Sequence, residues 1–240
     1  MAVVSVDLAY RDYRDFGMAV LDSGSLGAKY ELLRFANDSA QTPTPEHVAA
    51  VIIDACSSTN ASIILLDGPQ GWKDPSNGLV HSRVCERLLN APAKTGLPGN
   101  VKPAPYTKFV EFAIHVFDAF EMRGWKRFNP TAWHPGDPVV VESFPLAAWR
   151  SLRLPSLPAK RKARDEDIRC HLEHLVGAGL IVGDGQTPTH DQLQALAAGL
   201  AGLGIEARAE HRYEAIGAPP FMLDHAWREG YIVNPLKQLA

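Results

Sequence analysis

Three acidic residues share one placement in the sequence, because each lies at or near the C-terminal end of an apolar run that predicts a buried strand. These residues are Asp7, Asp67 and Glu142, and a fourth, Asp191, falls in the first turn of a predicted helix. Binding sites in open α/β sheets form outside the carboxyl ends of the strands. If the three strands are parallel neighbours, we expect their carboxylates to meet at one edge of the sheet.

A group of like charges at one edge must either hold protons or bind cations. Ligands that are all oxygen atoms suit hard metals such as Mg²⁺ or Mn²⁺ rather than zinc. Two such ions can activate a water and stabilise the leaving oxygen when a phosphodiester bond is hydrolysed. Taken singly, each residue also has a structural interpretation, since Asp after a strand favours a turn and an acid in a first helical turn suits the helix dipole.

Several basic residues could bind the phosphates of a substrate, or could simply face solvent. Lys160 and Arg164 belong to a basic cluster that precedes a predicted helix, and the acids at 165–167 partly cancel its field. Arg83 could reach a substrate phosphate or form an ion pair within the protein. His190 could shuttle a proton or orient a water, or could lie on the surface.

The hydrophobic patterning predicts one mixed sheet with helices on both faces, in the order β-β-β-α-β-α…α-β-α-α. The first three strands are expected to form an antiparallel meander. The predicted strands cover 2–8, 16–21, 29–35, 62–66 and 139–142, and the predicted helices open at Thr44 and Thr189 and cover 82–89, 106–122, 146–152 and 165–176. We expect a single domain over 1–240, with insertions around 90–138 and a C-terminal extension at 205–240.

Composition excludes several classes of protein. With 46% apolar and 21% charged residues in 240, the chain is not expected to be disordered, and its net charge of −3 excludes a polycationic nucleic-acid binder. Three scattered cysteines without a CxxC pair argue against a disulfide scaffold and a zinc cage. With no apolar run long enough for a membrane helix and no signal peptide at the start, we expect a cytoplasmic protein without membrane contact.

Four short segments, in their order and spacing, resemble the domain-of-unknown-function 429 family, whose members are described as predicted nucleases with a ribonuclease H-like fold. The segments are Ile63–Pro69, Arg83–Arg87, Val141–Pro145 and His190–Leu196. The resemblance runs from about residue 2 to the C-terminus. One departure concerns the last segment, which more often reads Asp-Ala-Leu-Ala-Ala in that family, whereas Gln192 follows the acid here.

The resemblance implies a metal-dependent nuclease in which Asp7, Asp67, Glu142 and Asp191 hold Mg²⁺ or Mn²⁺, and DNA or RNA is the substrate. Lys160, Arg83 and Arg164 are the expected substrate-binding residues. Two alternatives stay open. An actin-like or sugar-kinase-type phosphotransferase shares the core topology, but the residues after Asp7 lack the glycine of its phosphate loop. A non-catalytic protein that retains the fold would bind no divalent ion.

Overall fold

The computed structural model describes residues 2–35, 42–183 and 185–237. Met1 and residues 238–240, which the predicted domain includes, lie outside these ranges. The strands are β1 Ala2–Asp7, β2 Gly17–Asp22, β3 Lys29–Leu33, β4 Ile63–Asp67, β5 Lys94–Thr95, β6 Val101–Lys102, β7 Lys126–Arg127, β8 Val139–Ser143, β9 Tyr213–Leu223 and β10 Ala226–Pro235. The helices are α1 Pro45–Thr59, α2 Val84–Leu89, α3 Thr107–Glu121, α4 Pro145–Ser151, α5 Asp165–Gly177 and α6 His190–Glu206.

One eight-stranded sheet organises the described residues, in the order β3-β2-β1-β4-β8-β10-β9, and β7 pairs with β8. Strands β1, β4, β8 and β10 run parallel to one another. Strand β2 is antiparallel to β1, β3 is antiparallel to β2, and β9 is antiparallel to β10. This confirms the predicted fold class, a ribonuclease H-like mixed sheet that combines an antiparallel meander with parallel strands. The parallel strands therefore end at one common edge.

Alternation of side chains along the strands divides the interior into two cores. Val3 and Leu65 face a core that includes buried residues of α4, α5 and α6. Val4 and Ile64, which adjoin Val3 and Leu65 in their strands, face a second core shared with α1 and α3. Because both faces are covered, the central strands read as continuous apolar runs, and only the residues at their ends are free to be acidic.

The start of α6 is held close to the sheet by glycines. A Cβ at Gly17, the first residue of β2, would lie 2.0 Å from the backbone carbon of Asp191. Further along α6, a Cβ at Gly202 would lie 2.4 Å from the side chain of Leu65. The backbone of α6 therefore packs directly against the sheet, and this contact places Asp191 beside the end of β1.

Helix boundaries follow the capping signals in the sequence. Thr44 caps α1 ahead of Pro45, and its hydroxyl accepts a hydrogen bond from the backbone of His47. Thr189 and Gln192 form the expected capping box at the start of α6. None of the described helices is both long and apolar enough to cross a membrane.

The hairpin formed by β9 and β10 is absent from the strands predicted from sequence. Its strands contain Gly217, Pro219, Pro220 and Gly230, which ordinarily mark breaks. Proline is tolerated here because β9 is the outermost strand of the sheet, where a missing N–H costs no ladder hydrogen bond on the open side. The segment after α6 thus extends the sheet beyond β8.

Candidate active site

Asp7 and Asp67 lie side by side at the carboxyl ends of β1 and β4. The parallel register pairs Val6 with Leu66, so the two acids follow as neighbours. Their side chains share a hydrogen bond, which requires a proton on one of them. Burial, the nearby charges of Asp67 and Asp191, and this hydrogen bond raise the pKa of Asp7 well above its usual value. Burial and the charge of Glu142 raise the pKa of Asp67 to about 7.

Asp191 and His190 bring two further ligand atoms to this pair. One ligand atom each from Asp7, His190 and Asp191 lies within 4.8 Å of the other two. His190 Nδ1 is 3.1 Å from Asp191 Oδ1, and His190 Nε2 is 2.9 Å from the carbonyl oxygen of Pro158. Since a carbonyl only accepts, Nε2 carries a hydrogen, and Nδ1, which lies against Asp191 Oδ1, could bind a metal only in the tautomer that leaves it without a hydrogen.

Lys160 is the one predicted substrate-binding residue that lies within the acidic group. Its ammonium donates to Asp15 Oδ1 at 2.8 Å and also to Asp191 Oδ2. Burial lowers the pKa of Lys160, but the hydrogen bonds to Asp15 and Asp191 outweigh it, and the pKa lies above its usual value. Lys160 therefore places a positive charge where the carboxylates concentrate negative charge.

Glu142 lies next along the same edge but is engaged by Arg83. The guanidinium donates from Nη1 to Oε2 at 2.7 Å and from Nη2 to Oε1 at 2.6 Å, and the backbone N–H of Gln70 donates to Oε2 at 3.0 Å. Burial raises the pKa of Glu142 although Arg83 opposes the shift. The role of Glu142 as a metal ligand stays a prediction, and a cation would have to displace Arg83 to reach it.

Arg83 and Arg164 have different surroundings. Arg83 is buried, and its Nε also donates to Glu86 Oε1 at 3.0 Å, so its charge is shared between two carboxylates. Arg164 is exposed just before α5 and pairs with Asp167, three residues further on. The structure brings Lys160 to the carboxylates, places Arg83 behind Glu142, and gives Arg164 an ion pair with Asp167. Substrate binding by these three residues stays a prediction.

Two clefts open at this edge and share the ring of Phe109. The first, of about 290 Å³, is lined by Asp7, Lys160 and Asp191 together with Tyr10. The second, of about 140 Å³, is lined by Asp67, Arg83 and Glu142 among others. Each member of the Asp7–Asp67 pair therefore faces a cleft that a ligand can enter.

The donor set fits a hard divalent cation. Asp7 and Asp191 supply carboxylate oxygens and His190 supplies an imidazole nitrogen, all within 4.8 Å of one another, and Asp67 lies beside Asp7 at the end of the neighbouring strand. Crowding that raises the pKa of two carboxyls is relieved when a cation binds between them. The carboxylate oxygens suit Mg²⁺ or Mn²⁺, whereas an imidazole nitrogen is more typical of Zn²⁺ or Fe²⁺ sites.

Two contributors to the site gave no clear signal in the sequence. Asp15, which forms an ion pair with Lys160, lies in a polar turn, where an acidic residue is common and predicts no particular contact. Gly17, which admits the backbone of Asp191, looks like an ordinary strand residue because its contact is made by a segment 174 positions away. Only the tertiary structure reveals either role.

No protein-family model matches the chain, and none of the curated proteins matches it. Among solved structures, the chain is similar to two structures of Thermus thermophilus RuvC, the second of which is in complex with a Holliday junction substrate. In both comparisons the sequences are 15% identical, the match covers 87% of this chain and 97% of the RuvC chain, and the TM-score is 0.42. Membership of the domain-of-unknown-function 429 family stays a prediction.

Proposed function

We propose that this chain is a metal-dependent nuclease that hydrolyses phosphodiester bonds. The observation that carries the proposal is the Asp7–Asp67 pair at the ends of two adjacent parallel strands, with Asp191 and His190 facing it from α6. This arrangement concentrates negative charge that protons and the ammonium of Lys160 compensate in the metal-free protein. Its open side faces the cleft that Lys160 also lines.

The proposed roles follow from where each side chain lies. Asp7, Asp67 and Asp191 hold Mg²⁺ or Mn²⁺, and His190 provides a further ligand atom on the same side. Such a cation supplies a water of lowered pKa and stabilises charge on the leaving oxygen. Lys160 neutralises Asp191 when no metal is present and is placed to pair with a substrate phosphate once a metal takes over that carboxylate.

Arg83 and Glu142 have an indirect role, because they do not bind the cation themselves but influence Asp67. Their double hydrogen bond fixes the side chain of Glu142, whose negative charge opposes ionisation of Asp67. We include Glu142 in the acidic set as a residue that tunes Asp67. Nucleic acid, DNA or RNA, is the proposed partner, and the proposed location is the cytoplasm.

Labelled DNA and RNA, single- and double-stranded, test the proposal when incubated with the protein in Mn²⁺ or in chelator. We expect cleavage in Mn²⁺ and none in chelator. Asp7→Asn is expected to lower the rate on the order of 10³-fold, because loss of a metal site removes several kcal/mol of transition-state stabilisation at about 1.4 kcal/mol per tenfold.

The matched control is Asp54→Asn, which changes an exposed acid on α1 and should leave the rate unchanged. Cleavage that persists in chelator, or that survives Asp7→Asn at the wild-type rate, would contradict the proposal. A protein that shows neither cleavage nor Mn²⁺ binding would be a non-catalytic member of the fold.

A further inference from the structure

The cleft beside Asp67, called here the side pocket, combines an apolar wall with a group of buried charged residues. Its volume is about 140 Å³. The apolar part of its wall consists of Pro92, Ala93, Tyr106, Phe109, Phe144 and Ile232. The ring of Phe109 belongs to both clefts, so a ligand in the side pocket adjoins one bound at the carboxylates.

The charged groups of the side pocket are already paired with one another. Arg83 lies between Glu86 and Glu142, and the backbone N–H of Thr95 donates to Glu86. One guanidinium and two carboxylates leave a formal charge of −1, and Asp67 adds to it. The side pocket therefore disfavours a phosphate and suits an uncharged group.

Two hydroxyls in the wall have no hydrogen-bond partner among the described residues. Thr95 and Ser143 both line the side pocket, are 1% and 2% exposed, and leave Oγ1 and Oγ unpaired. An unpaired buried hydroxyl costs free energy that a polar ligand edge can recover. The pocket thus combines an apolar wall with two polar positions, which matches a flat ring that carries polar groups on its rim.

The size of the side pocket limits the ring that it can accept. An apolar protein cavity of roughly 150 Å³ holds one benzene molecule, and the side pocket is of nearly that volume. A single six-membered ring fits this space, whereas the fused rings of a purine exceed it. Among the parts of a nucleic acid, a pyrimidine base has this size and this pattern of polar edges.

Aromatic side chains extend from the side pocket across the front of the carboxylates. The ring centroids of Tyr10 and Phe109 are 6.4 Å apart, and the guanidinium of Arg11 lies 5.1 Å from the Tyr10 centroid. Tyr106, on the side-pocket wall, is 37% exposed. Partly exposed rings with an adjacent cation form the kind of surface on which unpaired bases stack.

We propose that the side pocket binds the pyrimidine base of an unpaired nucleotide whose phosphate lies at Asp7 and Asp67. This inference rests on the proposed nuclease function and assigns its substrate class as single-stranded or unpaired nucleic acid. A base in a duplex is stacked and paired and cannot enter a pocket of this kind unless it is flipped out.

Binding in chelator tests the inference independently of cleavage. Fluorescein-labelled hexamers of dT, rU, dA and an abasic deoxyribose phosphate, with a duplex that contains the dT strand, are titrated into the wild-type protein. We expect dT or rU to bind about tenfold more tightly than the abasic strand, in line with the contribution of stacking per base, and more tightly than dA or the duplex. Comparison of dT with rU distinguishes DNA from RNA as the source of the base.

Two variants locate the binding. Ala93→Leu fills the side pocket and is expected to remove the preference for dT or rU over the abasic strand. Thr95→Val keeps the shape of Thr95, removes its hydroxyl and should weaken binding several-fold. The matched control is Ala132→Leu in an exposed loop, which should change nothing.

Equal binding of pyrimidine and abasic strands, or an unchanged preference in Ala93→Leu, would overturn the inference even if Mn²⁺-dependent cleavage is observed. Conversely, a pyrimidine preference that Ala93→Leu removes would support the pocket even if no cleavage is found. The two proposals therefore fail separately.

Discussion

Asp7→Asn is expected to stabilise the metal-free protein at pH 8 and to flatten the dependence of its stability on pH. In the wild-type protein two adjacent buried carboxyls oppose each other's ionisation, and this repulsion is removed when one of them becomes an amide. An Asn side chain also keeps a hydrogen-bond donor toward Asp67, as the protonated carboxyl does. A site that favours function over stability often behaves in this way.

The sign of the pH dependence follows from the raised pKa of Asp67, which is about 7 in the folded protein against 3.8 when exposed. Between these values the folded state keeps a proton that the unfolded state has released. The free energy of unfolding of the metal-free protein therefore falls as pH rises from about 4 to 7, by at most about 1.4 kcal/mol per pH unit for this group. Asp7, whose pKa is also raised, extends the same trend.

Urea unfolding from pH 5 to 8, in chelator and in excess Mn²⁺, measures this effect. The fall with pH should be steepest for the wild-type protein in chelator, and smaller in Mn²⁺, because the cation stabilises the ionised carboxylates. Asp54→Asn, exposed on α1, serves as the matched control and should follow the wild-type curve. If Asp7→Asn destabilises the protein at pH 8 by as much as it does at pH 5, the crowding of Asp7 and Asp67 is not what the geometry indicates.

Arg83→Met is expected to lower the free energy of unfolding by about 3–5 kcal/mol, the usual cost of removing one partner from a buried ion pair. Arg83 is 1% exposed and makes three hydrogen bonds to the carboxylates of Glu86 and Glu142. Methionine fills much of the same volume but leaves both carboxylates without their cation. The loss should be smaller at low pH, where these carboxyls can take up protons.

Arg164→Met provides the matched control, since Arg164 pairs with an acid at the exposed start of α5. Its effect on the free energy of unfolding should be small, because the ion pair is exposed to solvent. The double variant Arg83→Met/Glu142→Gln should recover part of the lost stability, because it removes one of the stranded charges. Equal unfolding midpoints for Arg83→Met and Arg164→Met would show that Arg83 does not hold Glu142 in the way described.

The sequence was sufficient to predict the central sheet because its strands are buried on both faces. In Ile63–Asp67, four apolar residues are followed by an acid and then by Gly68. These signals are local in the sequence. The meander was predicted from its alternation and turn residues, and the start of α6 from the capping box of Thr189 and Gln192. The hairpin of β9 and β10 was missed because its prolines and glycines indicate breaks, while its stability comes from pairing with the rest of the sheet.

The sequence also located the acidic residues at strand ends, but it did not reveal their partners. The contact of Glu142 with Arg83 joins residues 59 positions apart, and the contact of Lys160 with Asp15 joins residues 145 positions apart. Neither spacing has a local signature. The sequence therefore indicated which residues carry charge at the edge, and the tertiary packing determines that Lys160 pairs with Asp191 and Arg83 with Glu142 there.

The most direct measurement of the central claim is the anomalous signal of Mn²⁺ in crystals of the protein soaked with that ion at pH 8. The account predicts a peak in direct contact with the carboxylate oxygens of Asp7, Asp67 and Asp191, with the ammonium of Lys160 displaced from Asp191. The same soak of Asp7→Asn crystals should give no peak there. An empty site in the wild-type protein, with Lys160 still bound to Asp191, would contradict the claim that this edge of the sheet is a divalent-metal site.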